Sequence, residues 1–152
     1  MKIPQFFEWD EDKCQANIDK HGIDFANIQA VFTNPIVERV DDRKDYGEVR
    51  IILLGIIDDR VLCIVFILYA ALSVVLLVLG GQINVNKEHI TRVSLEDWAK
   101  MKGQTDWARI DAMTEEEIEQ NALSDPDNQP LTDEFWDKAE VIFPEVNVMV
   151  KR

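Results

Sequence analysis

A run of nineteen residues without a charged side chain, Val61–Leu79, constrains the fold of this 152-residue chain more than any other feature. An uncharged run of this length is long enough to span a bilayer. Its first part, however, belongs to a pair of segments, VRIILLGII and RVLCIVFIL, that are rich in β-branched residues and separated by Asp58 and Asp59. That pattern is typical of a β-hairpin. We therefore predict a buried strand from Val61 to Leu68, with a membrane-anchored protein, spanning through 61–79, as the alternative.

Two helices are predicted before the hairpin. In DEDKCQANIDKHG, Asp10 is a suitable N-cap and Gly22 follows the last turn as a helix stop. In DFANIQAVFTNP, Asp24 is the cap, apolar residues recur at three- and four-residue spacing, and Pro35 ends the helix. Two helices followed by antiparallel strands predict an α+β domain.

From about residue 85 onward the chain carries short capped segments and little apolar surface. Ser94 precedes LEDWAKMK, Thr114 and Glu117 have capping-box spacing, TDEFWDKAEVIF is a further capped helix, and PEVNVMVKR alternates like a strand. Residues 91–152 hold 7 basic and 15 acidic side chains, within a net charge of −13 for the chain. Such helices need a partner surface to fold against. The charge argues against unaided attraction of nucleic-acid phosphates.

The cysteines and histidines form no metal-ligand pattern. Cys14, Cys63, His21 and His89 are far apart and lack the spacing of a zinc site. We therefore expect reduced thiols, no metal and no cofactor. The N-terminal MKIPQFFEWDEDK lacks the apolar stretch of a secretory signal, and a cytoplasmic protein is expected.

The segments FEWDEDKCQANIDKHGIDFANIQAVFTNP and YGEVRIILLG resemble the BrnT family of bacterial toxins. The resemblance covers about residues 6–67. It implies a RelE-like fold, with two helices against an antiparallel sheet, and metal-independent ribonuclease activity that stops translation. The residues that carry it are Phe7, Glu8, Trp9, Asp10, Lys13, Asn17, Lys20, His21, Gly22, Phe25, Ala30, Val31, Phe32, Pro35, Gly47, Glu48, Arg50 and Gly55.

Several residues of this part suit RNA cleavage by attack of a 2′-hydroxyl on its own phosphate. The reaction needs a base, an acid and cations for the phosphorane. His21 exchanges a proton near neutral pH, Glu48 can act as base, Lys20 and Arg50 can bind phosphate, and Trp9 can stack on a base. Each also has a structural interpretation. His21 can be a cation at the C-terminal end of a helix, Glu48 and Arg50 a surface ion pair, and Trp9 a core tryptophan.

The C-terminal part resembles a different family, the BrnA antitoxins that pair with BrnT. The motifs that carry the resemblance are Thr105-Asp106-Trp107, Met113–Ile118, Ser124–Asp127, Pro130-Leu131 and Asp133–Trp136. In that family an acidic segment holds the toxin, and a ribbon-helix-helix then binds operator DNA. Here only its ribbon strand, VNVMVKR, is present, so DNA binding is not expected. The side chains predicted to contact the toxin are Trp98, Trp107, Met113, Ile118, Phe135 and Trp136.

The sequence between the two resemblances departs from the toxin pattern. BrnT-like toxins continue with an arginine-rich end of the type RIISARRA, whereas this chain has no arginine between Arg60 and Lys87. Synonymous codons can be chosen for Val75 to Lys87 so that reading from the last base of the Val74 codon gives RIISARRANKREQ. We therefore hypothesise a frameshift upstream of about Val74 that joins two overlapping genes. Residues 70–79 are then predicted to supply an apolar strand in place of the lost one.

The sequence thus predicts a type II toxin-antitoxin protein in two parts. Residues 1–80 are the toxin domain with an altered end, and residues 85–152 are the antitoxin-like segment. Because the arginine-rich end is missing, we expect a protein that is inactive or self-inhibited. RNA is the ancestral substrate, and a BrnA-like antitoxin or a BrnT-like toxin is the expected partner. The alternative is a non-catalytic interaction module, or a relic, that binds such a partner.

Overall fold

The computed structural model describes residues 6–69, 74–77, 89–125 and 129–144. We call residues 6–77 the N-terminal body and residues 89–144 the C-terminal segment. Their elements are β1 (Phe6–Asp10), α1 (Glu11–His21), 3-10 turns at Phe25–Asn27 and Gln29–Thr33, β2 (Ile36–Val40), β3 (Arg50–Ile57), β4 (Arg60–Tyr69), β5 (Val74–Leu77), β6 (Ile90–Ser94), α2 (Leu95–Trp98), α3 (Trp107–Ala112), α4 (Glu115–Leu123), α5 (Asp133–Trp136) and β7 (Glu140–Ile142).

Within these described ranges, seven strands form one sheet in the order β6-β1-β5-β4-β3-β2-β7. The predicted α+β class is confirmed. The sheet is mixed rather than purely antiparallel, because β5 pairs parallel with β1 and antiparallel with β4. The apolar strand predicted within 70–79 is confirmed as β5. The outermost strands, β6 and β7, come from the C-terminal segment and extend the sheet at opposite edges.

Local signals place α1 as predicted. The Asp10 carboxylate accepts hydrogen bonds from the amides of Asp12 and Lys13, at 2.9 and 3.1 Å. Gly22 follows the helix at a φ of 75°, a left-handed conformation that glycine adopts without strain, and its amide donates to the Ile18 carbonyl. The Asp10 contacts fix the start of the helix at Glu11, and the Gly22 contact fixes its end at His21.

The second predicted helix is wrong in detail, since residues 25–33 form two 3-10 turns. Asp24 caps the first turn by accepting from the Ala26 amide at 2.9 Å. Ile28 then interrupts helical geometry, with φ −97° and ψ 4°. This break lets the apolar side chains on both turns reach the core, where Phe25 and Val31 are fully buried.

The hairpin is confirmed. Asp58 and Asp59 form its two-residue turn with φ values of 47° and 65°, the left-handed conformation that aspartate tolerates better than most residues. The uncharged run therefore begins as β4, in the middle of the sheet. No helix in the described ranges is long and apolar enough to cross a membrane.

Both faces of the sheet are covered, and the C-terminal segment contributes to each. On one face, α1 and the 3-10 turns pack with Trp98 over Leu53 and Phe66 in the main core. On the other face, Phe135 packs against Ile52 and Val65. The segment and the N-terminal body therefore share their cores.

The helices of the C-terminal segment are shorter than predicted. The helix beginning at Leu95 ends at Trp98, and the one beginning at Asp133 ends at Trp136. Instead of continuing that helix, Glu140–Ile142 forms β7 against β2. The open edge of β2 offers backbone partners, and Val141 and Ile142 are β-branched, which favours the strand. The strand predicted in PEVNVMVKR lies largely in 145–152, outside the described residues.

Candidate active site

The C-terminal segment lies against His21 and Lys20 at the end of α1. The His21 Nε2 atom is 2.9 Å from the Asp125 Oδ2 atom, and these two side chains are only 18% and 7% exposed. The Lys20 Nζ atom donates to the Ser124 carbonyl at 3.2 Å. Two of the predicted catalytic residues are therefore engaged by consecutive residues of the segment.

The same segment caps the end of α1. The Arg109 guanidinium donates to the carbonyls of Ile18, Asp19 and Lys20, at 3.2, 3.1 and 3.3 Å. The last-turn carbonyls carry the negative dipole end of the helix, and of these three the Ile18 carbonyl already accepts from the Gly22 amide. A cation there satisfies them, and it fixes the segment beside His21.

A pocket of about 340 Å³ lies between α1, the hairpin and the C-terminal segment. His21 and Asn17 border it from the N-terminal body. Much of the pocket wall is apolar. Three of the C-terminal segment's side chains that were predicted to contact the toxin line this wall. These are Met113, Ile118 and Trp136.

Glu48 and Arg50 form a second pair, at the start of β3. The Arg50 Nε atom donates to the Glu48 Oε1 atom at 2.9 Å, and the Arg50 guanidinium carbon lies 4.2 Å from the centre of the Tyr46 ring. The Tyr46 hydroxyl donates to Asp41 at 2.9 Å. Asp41 also accepts two hydrogen bonds from the Arg43 guanidinium and one from the Arg43 amide. Burial alone would raise the pKa of Asp41, but these hydrogen bonds outweigh it and lower the pKa.

The two pairs occupy different parts of the sheet. Arg50 stands opposite Ile67, whereas the pocket that His21 borders reaches the sheet at Leu54 and Cys63. Four residues along a strand correspond to about 13 Å. The structure therefore arranges the four predicted catalytic residues as two pairs.

A family comparison agrees with the toxin half of the sequence prediction. Residues 9–74 match the model of a family described as ribonuclease toxin, BrnT, of type II toxin-antitoxin system. Because the match lies within the N-terminal body, residues 6–77, we also call that part the BrnT-like body. No match to a curated protein or to a solved structure was found.

Trp9 of the BrnT-like body lies in the main core and is 1% exposed. Its ring centre is 6.4 Å from that of Phe25 and 5.6 Å from that of Trp98, and its Nε1 atom donates to Glu11. A ring packed in this way offers no face to a nucleobase. The stacking role predicted for Trp9 therefore does not fit this state, and its structural alternative, a core tryptophan, does.

Of the six residues predicted to contact the toxin, Met113, Ile118 and Trp136 line the pocket, and Trp98, Phe135 and Trp107 contact the BrnT-like body directly. Trp98 is in the main core and Phe135 covers the second face of the sheet. Trp107 lies under the Arg60 guanidinium, whose carbon is 4.6 Å from its ring centre. Asp111 accepts two hydrogen bonds from the same guanidinium, each 2.7 Å long.

Sequence reasoning missed residues that act across this boundary. Asp125 lies within the motif Ser124–Asp127, so the BrnA-like pattern could have identified it as a partner of a cation. Arg39, Arg60 and Arg109 stand out by no local spacing, and their roles depend on where the segment packs.

Proposed function

We propose that this chain is a BrnT-like ribonuclease toxin joined to an antitoxin-like segment that holds it closed, so that the chain as it stands does not cleave RNA. The observation that carries the proposal is the pairing of His21 with Asp125, next to that of Lys20 with Ser124. A carboxylate and a carbonyl oxygen occupy positions that suit phosphate oxygens. The acidic excess of residues 91–152 matches a surface that would otherwise bind RNA.

The end of the toxin match supports the frameshift origin. The match stops at residue 74, which is where the arginine-rich end would begin. In this chain β5 starts at Val74 and lies between β1 and β4, so apolar residues occupy the strand position that a toxin-like end would fill. Backbone pairing explains why the sheet tolerates the exchange. Apolar side chains, however, cannot stabilise a phosphorane.

The missing cations account for the lack of activity. Removing one donor that stabilises transition-state charge lowers the rate by roughly 10²- to 10³-fold. The loss of several arginines would leave little cleavage even with His21 and Glu48 in place. The proposed protein is therefore both covered and catalytically weakened.

Growth arrest on expression tests this explanation directly. The original gene should cause no arrest. Inserting one base ahead of codon 74 should restore the arginine-rich reading and produce a toxic protein, and the same insertion combined with His21→Ala is the matched control. Arrest by the original chain that disappears in His21→Ala or Glu48→Ala would contradict the proposal. The frameshift hypothesis fails if the coding DNA does not contain the arginine-rich reading.

Amide hydrogen exchange tests the closed arrangement separately. Asp125→Lys places a cation beside His21 and Lys20, and we expect faster exchange over α4 and its end. Glu119→Lys makes the same change of charge at an exposed position of α4 and should leave exchange close to that of the original chain. Equal exchange in the two variants would show that Asp125 does not hold the segment.

A further inference from the structure

Phe135 of the C-terminal segment lies on a pair of arginines of the N-terminal body. The Arg39 guanidinium carbon is 4.2 Å from the centre of the Phe135 ring, and that of Arg43 is 5.6 Å away. The ring also packs with Ile52 and Val65 of the sheet, and its centre lies 5.2 Å from that of the Trp136 ring. Arg39 also donates a short hydrogen bond to the Phe135 carbonyl. A planar ring with an adjacent oxygen thus fills this place.

Each guanidinium also donates to a carboxylate. The Arg39 Nη2 atom donates to Asp42 at 2.7 Å. The Arg43 Nε and Nη2 atoms donate to the two oxygens of Asp41, at 2.8 and 2.9 Å. A phosphate would need the hydrogen-bonding edges of the guanidiniums, whereas a stacked ring needs only the flat face. The arrangement therefore suits an aromatic ring more than a phosphate.

These arginines are connected to the predicted catalytic pair. Asp41, which holds Arg43, also accepts from the Tyr46 hydroxyl. Tyr46 lies under Arg50, and Arg50 is paired with Glu48. A ring in the place of Phe135, which lies over Arg43 as well as Arg39, is therefore linked through Asp41 and Tyr46 to the Arg50 and Glu48 pair.

We propose that Arg39 and Arg43 form a nucleobase-stacking subsite for single-stranded RNA, and that Phe135 occupies it in place of a base. Unstacked bases of single-stranded RNA commonly stack on arginine planes. The proposal rests on the proposed function and adds to it a substrate-binding position. A similar arrangement recurs at Arg60, where the ring of Trp107 and the carboxylate of Asp111 meet one guanidinium.

RNA binding by the full chain tests the subsite without requiring cleavage. The probe is a short single-stranded RNA with a fluorescent label, measured by anisotropy. Phe135→Ala should bind it more tightly than the original chain does. In that background Arg39→Lys keeps the charge but loses the plane. We expect it to weaken binding by roughly 5- to 150-fold, the range that corresponds to one stacked base.

The matched control is Arg92→Lys in the same background. Arg92 lies over Phe6, with 4.8 Å between the guanidinium carbon and the ring centre, at the other end of the sheet order. Its substitution should not change RNA binding. Phe135→Leu keeps apolar contact with Ile52 and Val65, and it replaces the alanine variant in every comparison if that variant does not fold.

Equal RNA affinity of the Arg39→Lys and Arg92→Lys variants would overturn the subsite, as would a Phe135 variant that binds RNA no better than the original chain. These outcomes are independent of the growth test. If the restored gene arrests growth while Arg39→Lys has no effect, only the subsite fails. If Arg39 governs RNA binding while the restored gene is harmless, the subsite stands and the ribonuclease proposal fails.

Discussion

Trp98→Ala should destabilise the whole protein, although Trp98 belongs to the C-terminal segment. Trp98 is fully buried, and its ring centre lies 4.6, 5.6 and 5.7 Å from those of Phe7, Trp9 and Phe32. Its Nε1 atom donates to the Phe25 carbonyl at 3.0 Å. The substitution therefore removes a ring from the centre of the main core and also a buried hydrogen bond.

The expected loss follows from these contacts. Truncating a buried phenylalanine or tryptophan to alanine costs about 3–5 kcal/mol. The Phe25 carbonyl keeps a longer hydrogen bond from the Ile28 amide, at 3.4 Å, so losing the indole hydrogen bond adds about 1 kcal/mol. A total of about 4–6 kcal/mol is comparable to the full stability of many domains, about 5–15 kcal/mol. The variant should be close to unfolding, or unfolded, at 25 °C.

Urea unfolding followed by circular dichroism measures this loss. Trp107→Ala is the control, because its half-buried ring packs at the edge of the main core and against Arg60, and its removal should cost less, about 1–2 kcal/mol. Trp98→Phe should fall between the two. A loss for Trp98→Ala no greater than that for Trp107→Ala would contradict a central place for Trp98 in the main core. A first transition that releases the segment, while the N-terminal body unfolds at an unchanged urea concentration, would contradict a core shared by both parts.

Gly55, Glu38 and the two cysteines, at buried or half-buried positions, give three further predictions. Gly55→Ala should lower the free energy of unfolding by about 1–3 kcal/mol, since the added methyl would lie 2.5 Å from a valine side chain; thermal unfolding measures it. Burial, with Glu140 opposite on β7, raises the pKa of Glu38. The original chain therefore loses stability as pH rises from the ordinary glutamate pKa through the folded one. Glu38→Gln should be more stable at pH 7 by about 1 kcal/mol, with a smaller advantage below about pH 4. Burial also raises the pKa of Cys14 to about 12 and that of Cys63 to about 11, so both thiols should resist iodoacetamide at pH 8 until the chain unfolds.

One measured outcome would contradict each of these three predictions. An unchanged melting temperature for the glycine variant would show that the neighbouring valine moves aside at little cost. A glutamine variant that is less stable than the original chain at pH 7 would show that the carboxylate has a favourable partner. Rapid labelling of either thiol in the folded chain, detected by mass spectrometry, would mean that it is accessible as a thiolate.

The local elements were largely predictable from sequence. The cap at Asp10, the stop at Gly22 and the hairpin turn at Asp58-Asp59 depend on contacts within a few residues, so the local sequence specifies them. The apolar strand β5 was also predictable, because its β-branched residues suit a buried strand position. The second helix was mispredicted, since the break at Ile28 arises from packing in the core rather than from a sequence signal.

The site required the tertiary structure. The sequence identified His21, Lys20, Glu48 and Arg50 by residue type and resemblance, but not that they would form two separate pairs. The partners Asp125 and Ser124 are each 104 residues away from the side chains they contact. Likewise, β6 and β7 pair with the two outer strands, β1 and β2, of the sheet that the N-terminal body forms. By itself the sequence determined which segments form strands and helix ends, because those depend on neighbouring residues. Only the fold decided which cations are covered and by what, because that choice depends on the burial of Trp98 and Phe135 in cores shared by distant parts of the chain.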